Sequence, residues 1–123
     1  MKFFLGLSTA ASEEEAQRIG RVLVEKKLAA CVNIIPGITS LFFWEGKLCK
    51  EREVVILIKT SEKFIKEIIN NIKNLNTYSV PEILFVNIEK GDDKYLDWIR
   101  EYLKSERKRL KKIIDNKEWK KVI

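Results

Sequence analysis

Few side chains in this chain are equipped for chemistry, and their spacing narrows what they can do. Two thiols, Cys31 and Cys49, lie 18 positions apart with no CxxC pair. That spacing is neither a disulfide framework nor a zinc site. Cys31 follows Ala29-Ala30 at the start of an apolar stretch. It reads either as a reactive or metal-binding thiol or as a small apolar core residue, the usual lot of a free cysteine. Lys59 closes the run VVILIKT. It either reaches into a cleft between subunits to meet Glu82, or ends its strand as a solvated charge. The chain contains no histidine, so the usual acid–base group at neutral pH is missing. There is no Ser–His or Cys–His pairing, no GxxxxGK[ST] loop and no GxGxxG. The expectation is a protein that is not an enzyme.

The elements that would position these groups follow from hydrophobic periodicity. Lys2 to Thr9 reads as a strand. Ser12 and Glu15 form a capping box, in which the hydroxyl accepts from a first-turn N–H and the carboxylate reaches back. Ala16, Ile19, Gly20 and Leu23 then keep helical spacing, giving a helix to about Leu28. The stretch Ala29 to Lys47, AACVNIIPGITSLFFWEGK, is too apolar for a loop and too β-branched for a good helix. Pro36-Gly37 breaks its middle and Glu45-Gly46 ends it like a turn, so it reads as a long kinked strand entering a hairpin. Val54 to Ile58, VVILI, needs cover on both faces. Thr60 or Ser61 caps a second helix with a stripe of Ile65, Ile68, Ile69 and Ile72. After a polar stretch, Pro81 suits a strand start. Glu82 to Glu89 is the fourth strand, and Gly91-Asp92-Asp93 leads into a third helix from about Lys94.

The predicted order is β-α-β-β-α-β plus a C-terminal helix, the α+β, ferredoxin-like split arrangement with an antiparallel sheet. Both helices then cover one sheet face. The strands nevertheless carry apolar residues at both parities: Ile83 and Phe85 one way, Leu84, Val86 and Ile88 the other. An uncovered apolar face of that size signals an interface between subunits. On the third helix, Leu96, Ile99 and Leu103 make one stripe and Tyr95, Trp98 and Tyr102 a second. Trp44 and Trp98 read as packing anchors.

At 123 residues and 46% hydrophobic, the chain suits one domain with a real core. It divides as a body, 1–103, and a basic extension, 104–123. The body holds 15 basic and 15 acidic residues, so the entire net charge of +6 lies in the extension. The extension, with Leu110, Ile113 and Ile114, reads either as a continuation of the third helix or as a short helix after it. It is either a solvated helix packed on a neighbour or a contact for an anion, nucleic acid or membrane surface. RNA binding through the sheet is disfavoured, because the strand EREVVILIKT lacks aromatics and glycine. No apolar run approaches the ~20 residues of a membrane span. The apolar part of the N-terminus, Phe3 to Leu7, is shorter than the ~7–15 residues of a signal peptide's core. Cytoplasmic location is the expectation. Richness in Ile, Lys and Glu leans towards a thermostable chain.

Several ordered segments together resemble the CutA family of divalent-cation tolerance proteins: Ser8-Thr9-Ala10 before SEEEA, LAACVNIIPGITS with the following WEGK, VVILIKT, Tyr78-x-Val-Pro-Glu82, and YLDWI from Tyr95 to Ile99. The resemblance runs from about Leu7 to Leu103. It implies a ferredoxin-like subunit in a tight homotrimer similar to PII signalling proteins, with long kinked strands pairing across subunits. It also implies a binding or regulatory role in the response to metal ions, copper in particular. Animal relatives are associated with membrane anchoring of acetylcholinesterase. Tyr78 and Glu82 then become candidates, with Lys59, for lining a pocket between subunits, unless Tyr78 only locks its loop.

One departure from the family pattern matters. Members commonly read His-Pro-Tyr-Glu-x-Pro-Glu before the last strand; here Asn76-Thr77-Tyr78-Ser79-Val80-Pro81-Glu82 stands in that place. The family's proposed metal ligands, a cysteine and one or two histidines, fall on Ser8, Leu75 and Asn76. Copper and zinc prefer thiolate and imidazole, so that site is not expected to operate here. Cys31, Cys49 or carboxylates remain as ligands for a divalent metal such as copper, and Cys31 is the metal candidate. The alternative to a metal-response role is a non-catalytic trimeric scaffold whose basic C-terminal tails contact a polyanion or a partner protein.

Overall fold

The computed structural model describes residues 1–105, so the basic extension lies outside them from residue 106 onward. Its elements are β1 (Phe3–Ala10), α1 (Glu13–Glu25), β2 (Cys31–Trp44), β3 (Lys47–Ser61), a 3-10 turn (Glu62–Phe64), α2 (Ile65–Leu75), β4 (Ile83–Asn87) and α3 (Asp93–Lys104). The strands form one antiparallel sheet in the order β2-β3-β1-β4. This is the expected ferredoxin-like arrangement with an added helix. No described helix is long and apolar enough to cross a membrane.

The helices α1 and α2 bury one sheet face. Ala16, Ile19 and Leu23 of α1 and Ile68 and Ile72 of α2 pack on Val54, Ile56 and Ile58 of β3. Gly20 lets α1 approach β2 closely: a Cβ there would lie 2.9 Å from a methyl of Val32. A second cluster joins Phe3, Ala30, Ile99 and Leu103, with Ile88 and Leu96 packed against it, and holds α3 at the end of the sheet.

Local starts and stops differ from the sequence reading in instructive ways. The Ser12 hydroxyl accepts from the Glu15 N–H at 3.1 Å, but the Glu15 carboxylate takes the N–H of Ala11, not that of Ser12. Helix α1 stops at Glu25, short of Leu28, because Lys27 adopts a left-handed conformation (φ 59°). The N–H of Leu28 then returns to the Leu23 carbonyl at 2.9 Å, a Schellman-type ending that sends the Leu28 side chain into the core. Neither hydroxyl caps the second helix as expected. Thr60 donates to the Leu28 carbonyl at 2.5 Å, and Ser61 makes no capping bond. The α2 stripe is buried at Ile68 and Ile72 and only half-buried at Ile65 and Ile69. Strand β4 is shorter than expected, and α3 begins at Asp93 with Asp92 accepting from Tyr95 N–H. Helix α3 runs to Lys104, with Ser105 extended at its C-cap, and the remainder of the extension lies outside the described residues.

The kinked strand is the main architectural device. Ile35 pairs with Val55 and Ile38 with Glu53, so β2 carries one residue more than β3 across Pro36-Gly37. Gly37 supplies the positive φ, 74°, that this bulge needs. An extra residue exchanges the two faces of all that follows. Beyond the bulge, Leu41, Phe43 and Leu48 are exposed at 67, 73 and 67%, while Phe42 lies on the opposite face. The arm closes through Glu45 (φ 50°) and Gly46 (φ 77°) between the paired Trp44 and Lys47. Two consecutive positive φ values are the signature of the type I′ turn that suits strand twist. No atom lies within 4 Å of a Cβ built on Gly46, so only backbone strain opposes a side chain there. Gly46→Ala is expected to cost about 1 kcal/mol, measurable by denaturant unfolding, and Glu45→Asn to recover part of it.

Candidate functional site

The sequence candidates fall into two separate groups. The first sits on the sheet face that α1 and α2 leave uncovered. Cys31 of β2 is the direct register partner of Lys59 of β3. The Lys59 ammonium lies 3.9 Å from the Cys31 sulfur and donates to the side-chain carbonyl of Asn33, the next β2 residue on that face. Cys31 is half-exposed among strand residues of the open face and is not packed into the helix-covered core. Asn33 was not singled out from the sequence. Its role depends on register, which alternation alone leaves open. Cys49 sits near the arm's tip, with its sulfur 3.7 Å from the Lys47 carbonyl.

The second group is the loop between α2 and β4. Asn76 begins it, donating to the Thr9 carbonyl at 2.9 Å and accepting from the Tyr78 N–H at 2.8 Å. This is the local bond by which Asn shapes a turn. The Ser8 hydroxyl donates to the Glu82 carbonyl at 2.7 Å and pins the other end of the loop to β1. The Tyr78 hydroxyl donates to the Glu53 carboxylate at 2.6 Å. The Glu82 side chain is exposed; only its carbonyl is engaged. Lys59 stands opposite Leu5, whereas the Glu82 carbonyl meets Ser8, three β1 residues away. At ~3.3 Å per residue that is a backbone offset of roughly 10 Å, and within the subunit Lys59 donates to Asn33.

Glu15 holds this loop to the body. Its carboxylate is buried and accepts from the Ala11 N–H at 3.0 Å and the Thr77 N–H at 2.7 Å. Burial pushes its proton affinity up. The Ala11 N–H, the Thr77 hydroxyl and the Thr77 N–H outweigh that, and the carboxyl stays below its ordinary value of 4.5. Burial, its bond to Glu53 and the surrounding carboxylates raise Tyr78 well above the usual phenol range. Tyr78 is therefore a donor at neutral pH, not a nucleophile or base. Glu53 and the loop-holding role of Glu15 escaped the sequence reading, which saw Glu15 only as a cap.

The chemistry of Ser8, Leu75 and Asn76 does not fit a copper or zinc site. The Ser8 hydroxyl and both ends of the Asn76 amide are committed to backbone partners, and Leu75 packs on the core. No group of three or more Cys, Asp or Glu side chains is gathered for a metal ion among the described residues.

Comparison with known proteins matches residues 4–102 to the family described as CutA1 divalent ion tolerance protein. A divalent-cation tolerance protein CutA of Thermus thermophilus is 44% identical over 95 residues, covering 77% of this chain and 92% of the relative. Human Protein CutA is 38% identical over 97 residues; there the match covers 79% of this chain and 54%, about half, of the longer relative. Among solved structures, one titled the periplasmic divalent cation tolerance protein CutA of Archaeoglobus fulgidus superposes with a TM-score of 0.80 at 43% identity. It covers 85% of this chain and 100% of that one.

Proposed function

We propose, from the premise that this chain belongs to the CutA1 divalent ion tolerance family, that it works as a non-catalytic homotrimer with a binding or regulatory role in the response to divalent metal ions. The supporting observation is the amount of apolar surface that one subunit leaves uncovered. Leu41, Phe43 and Leu48 on the arm and Leu84 and Val86 on the open sheet face are all exposed. Uncovered apolar area of this extent and continuity marks an interface, and an arm that is apolar on both faces suits partners on both sides. The working unit is residues 1–103, with 104–123 as an extension, and its place is the cytoplasm. Names of relatives include tolerance proteins and no enzyme class, which agrees with a histidine-free chain that lacks a nucleophile–base pair.

Metal response in this chain would run without the family's histidine-based site. Cys31 beside Lys59, and a pocket between subunits that draws on Lys59, Tyr78 and Glu82, are the places left for a ligand. The expected mass in solution is near three times the 14.4 kDa subunit, read by light scattering; a stable monomer at micromolar concentration would overturn the assembly. Copper titrated by calorimetry into the parent protein is expected to show no tight stoichiometric binding. A tight site that is lost in Cys31→Ser would return the metal role to that thiol. Salt-dependent retention on nucleic acid, abolished by truncation after Leu103, would favour the polyanion-binding scaffold instead.

A further inference from the structure

We infer that the hydrogen bond from Tyr78 to Glu53 is a strut that fixes the direction of the β2–β3 arm, and that Tyr78 is thereby a positioning residue for assembly. Its consequence for assembly rests on the trimeric reading proposed above; the bond itself lies within one subunit. Strand β1 reaches no further along β3 than Val54, which pairs with Ala10 and is buried in the core. From Glu53 outward, β3 pairs with β2 alone among the described residues, so the arm is a two-stranded ribbon. Such a ribbon is marginally stable by itself and twists more strongly than a wider sheet. Its root is also bent by the bulge at Pro36-Gly37, and Ile38–Glu53 is the first pair beyond that bulge. No residue from 38 to 53 belongs to either apolar cluster of the subunit. Core packing within one subunit therefore does little to fix where the arm points.

The Tyr78 hydroxyl, 2.6 Å from the Glu53 carboxylate, supplies that constraint, and both residues are half-buried. Among the described residues it is the one side-chain hydrogen bond between the arm and the rest of the subunit. A hydrogen bond to a carboxylate is roughly twice as strong as one between neutral groups. Burial and the adjacent Glu53 keep the phenol protonated, so the donor is retained. The loop that carries Tyr78 is itself held at three points: Asn76 to the Thr9 carbonyl, Thr77 N–H to Glu15, and the Glu82 carbonyl to Ser8. Those bonds fix the loop without the Tyr78 hydroxyl, so the hydroxyl is free to hold something else, and it holds the root of the arm. The lever is long. The tip pair Trp44–Lys47 lies six residues beyond Ile38–Glu53. At ~3.3 Å per residue that is about 20 Å, so a turn of ~15° at the root moves the tip by roughly 5 Å. The exposed Leu41, Phe43 and Leu48 ride on that lever, and their fit to a neighbouring subunit depends on the strut.

The test uses the full chain and two readings. One is amide exchange along residues 38–53. The other is exchange of subunits between isotope-labelled and unlabelled protein, followed by native mass spectrometry. Tyr78→Phe is expected to raise both rates at least tenfold, while the amides of β1 and α1 keep the parent's protection. Glu53→Leu is expected to do the same. The double variant is expected to be no faster than either single one, because both remove the same bond. Faster exchange confined to residues 77–82 would overturn the strut and leave Tyr78 a lock for its own loop. Effects that multiply in the double variant would overturn it as well, since the two residues would then act apart. The amide reading holds for any oligomeric state, so it decides on the strut even if light scattering overturns the trimer.

Discussion

Glu15→Ala should lower the unfolding free energy by about 3 kcal/mol and free the loop that carries Tyr78. The buried carboxylate satisfies two backbone donors at once, Ala11 N–H ahead of α1 and Thr77 N–H in the loop, 62 positions away. Hydrogen bonds to a charged group contribute roughly 1.5–3 kcal/mol each, and the alanine leaves both donors without their acceptor. Some of that loss returns as water enters the vacated space, so the two contributions do not simply add. Glu15→Gln keeps the length and one acceptor oxygen and should recover part of the loss. Denaturant unfolding at fixed protein concentration measures the stability difference. Faster amide exchange at Thr77 and Tyr78 should accompany it, since Tyr78 N–H bonds to Asn76 within the same loop. An Ala variant as stable as the parent would show that the carboxylate is not what holds the loop.

The same residue sets the sign of an acid effect. Its folded-state proton affinity lies below the ordinary value of 4.5. Its contribution is therefore fully present above pH about 4.5, and it is lost as the pH falls through the lower, folded-state value. The parent and Glu15→Gln curves should separate above that window and converge below it. Tyr78 works in the opposite direction: its affinity is raised, so its contribution holds below the usual phenol value of 10.0 and falls away at higher pH.

What could be read from the sequence was what local chemistry encodes. Ser12 and Asp92 cap their helices because a cap involves residues three positions apart. Glu45-Gly46 could be read as a turn, and Pro36-Gly37 as a kink, because each acts within its own backbone. The ending of α1 was missed because Lys27, not glycine, takes the left-handed position, and Leu28 rewards it by filling the core. The Tyr78–Glu53 and Glu15–Thr77 contacts were missed for a different reason. They arise where the α2–β4 loop meets the start of α1 and strand β3, and the order β2-β3-β1-β4 that brings these together is not encoded in any single segment. Lys59 meeting Asn33 is likewise a matter of register. Even a correct pattern of strands leaves the partner of a charged side chain open until the pairing is fixed.

Leu84→Glu combined with Val86→Glu should convert the assembled protein to single folded subunits. Both residues lie on β4, at the edge of the sheet, and both are 59% exposed in the isolated chain. Neither belongs to the core that α1 and α2 cover; Ile83 and Phe85 supply β4's contribution there. If the open face met only water, two carboxylates on it would change stability by no more than the ~0.5 kcal/mol usual for surface substitutions, and the mass would not move. If the face is buried against another copy, each carboxylate must be desolvated without a partner, at a cost of several kcal/mol per subunit contact. That penalty recurs at every symmetry-related contact, so a ring of three would lose it three times over. Light scattering should then report one subunit's mass while circular dichroism remains native-like. Lys66→Glu on the exposed side of α2 adds a carboxylate away from this face and should leave the assembly intact. A double variant that keeps the parent's mass would place the interface elsewhere. The arm would then be the surface to test, since Leu41, Phe43 and Leu48 are exposed on a segment that neither α1 nor α2 covers.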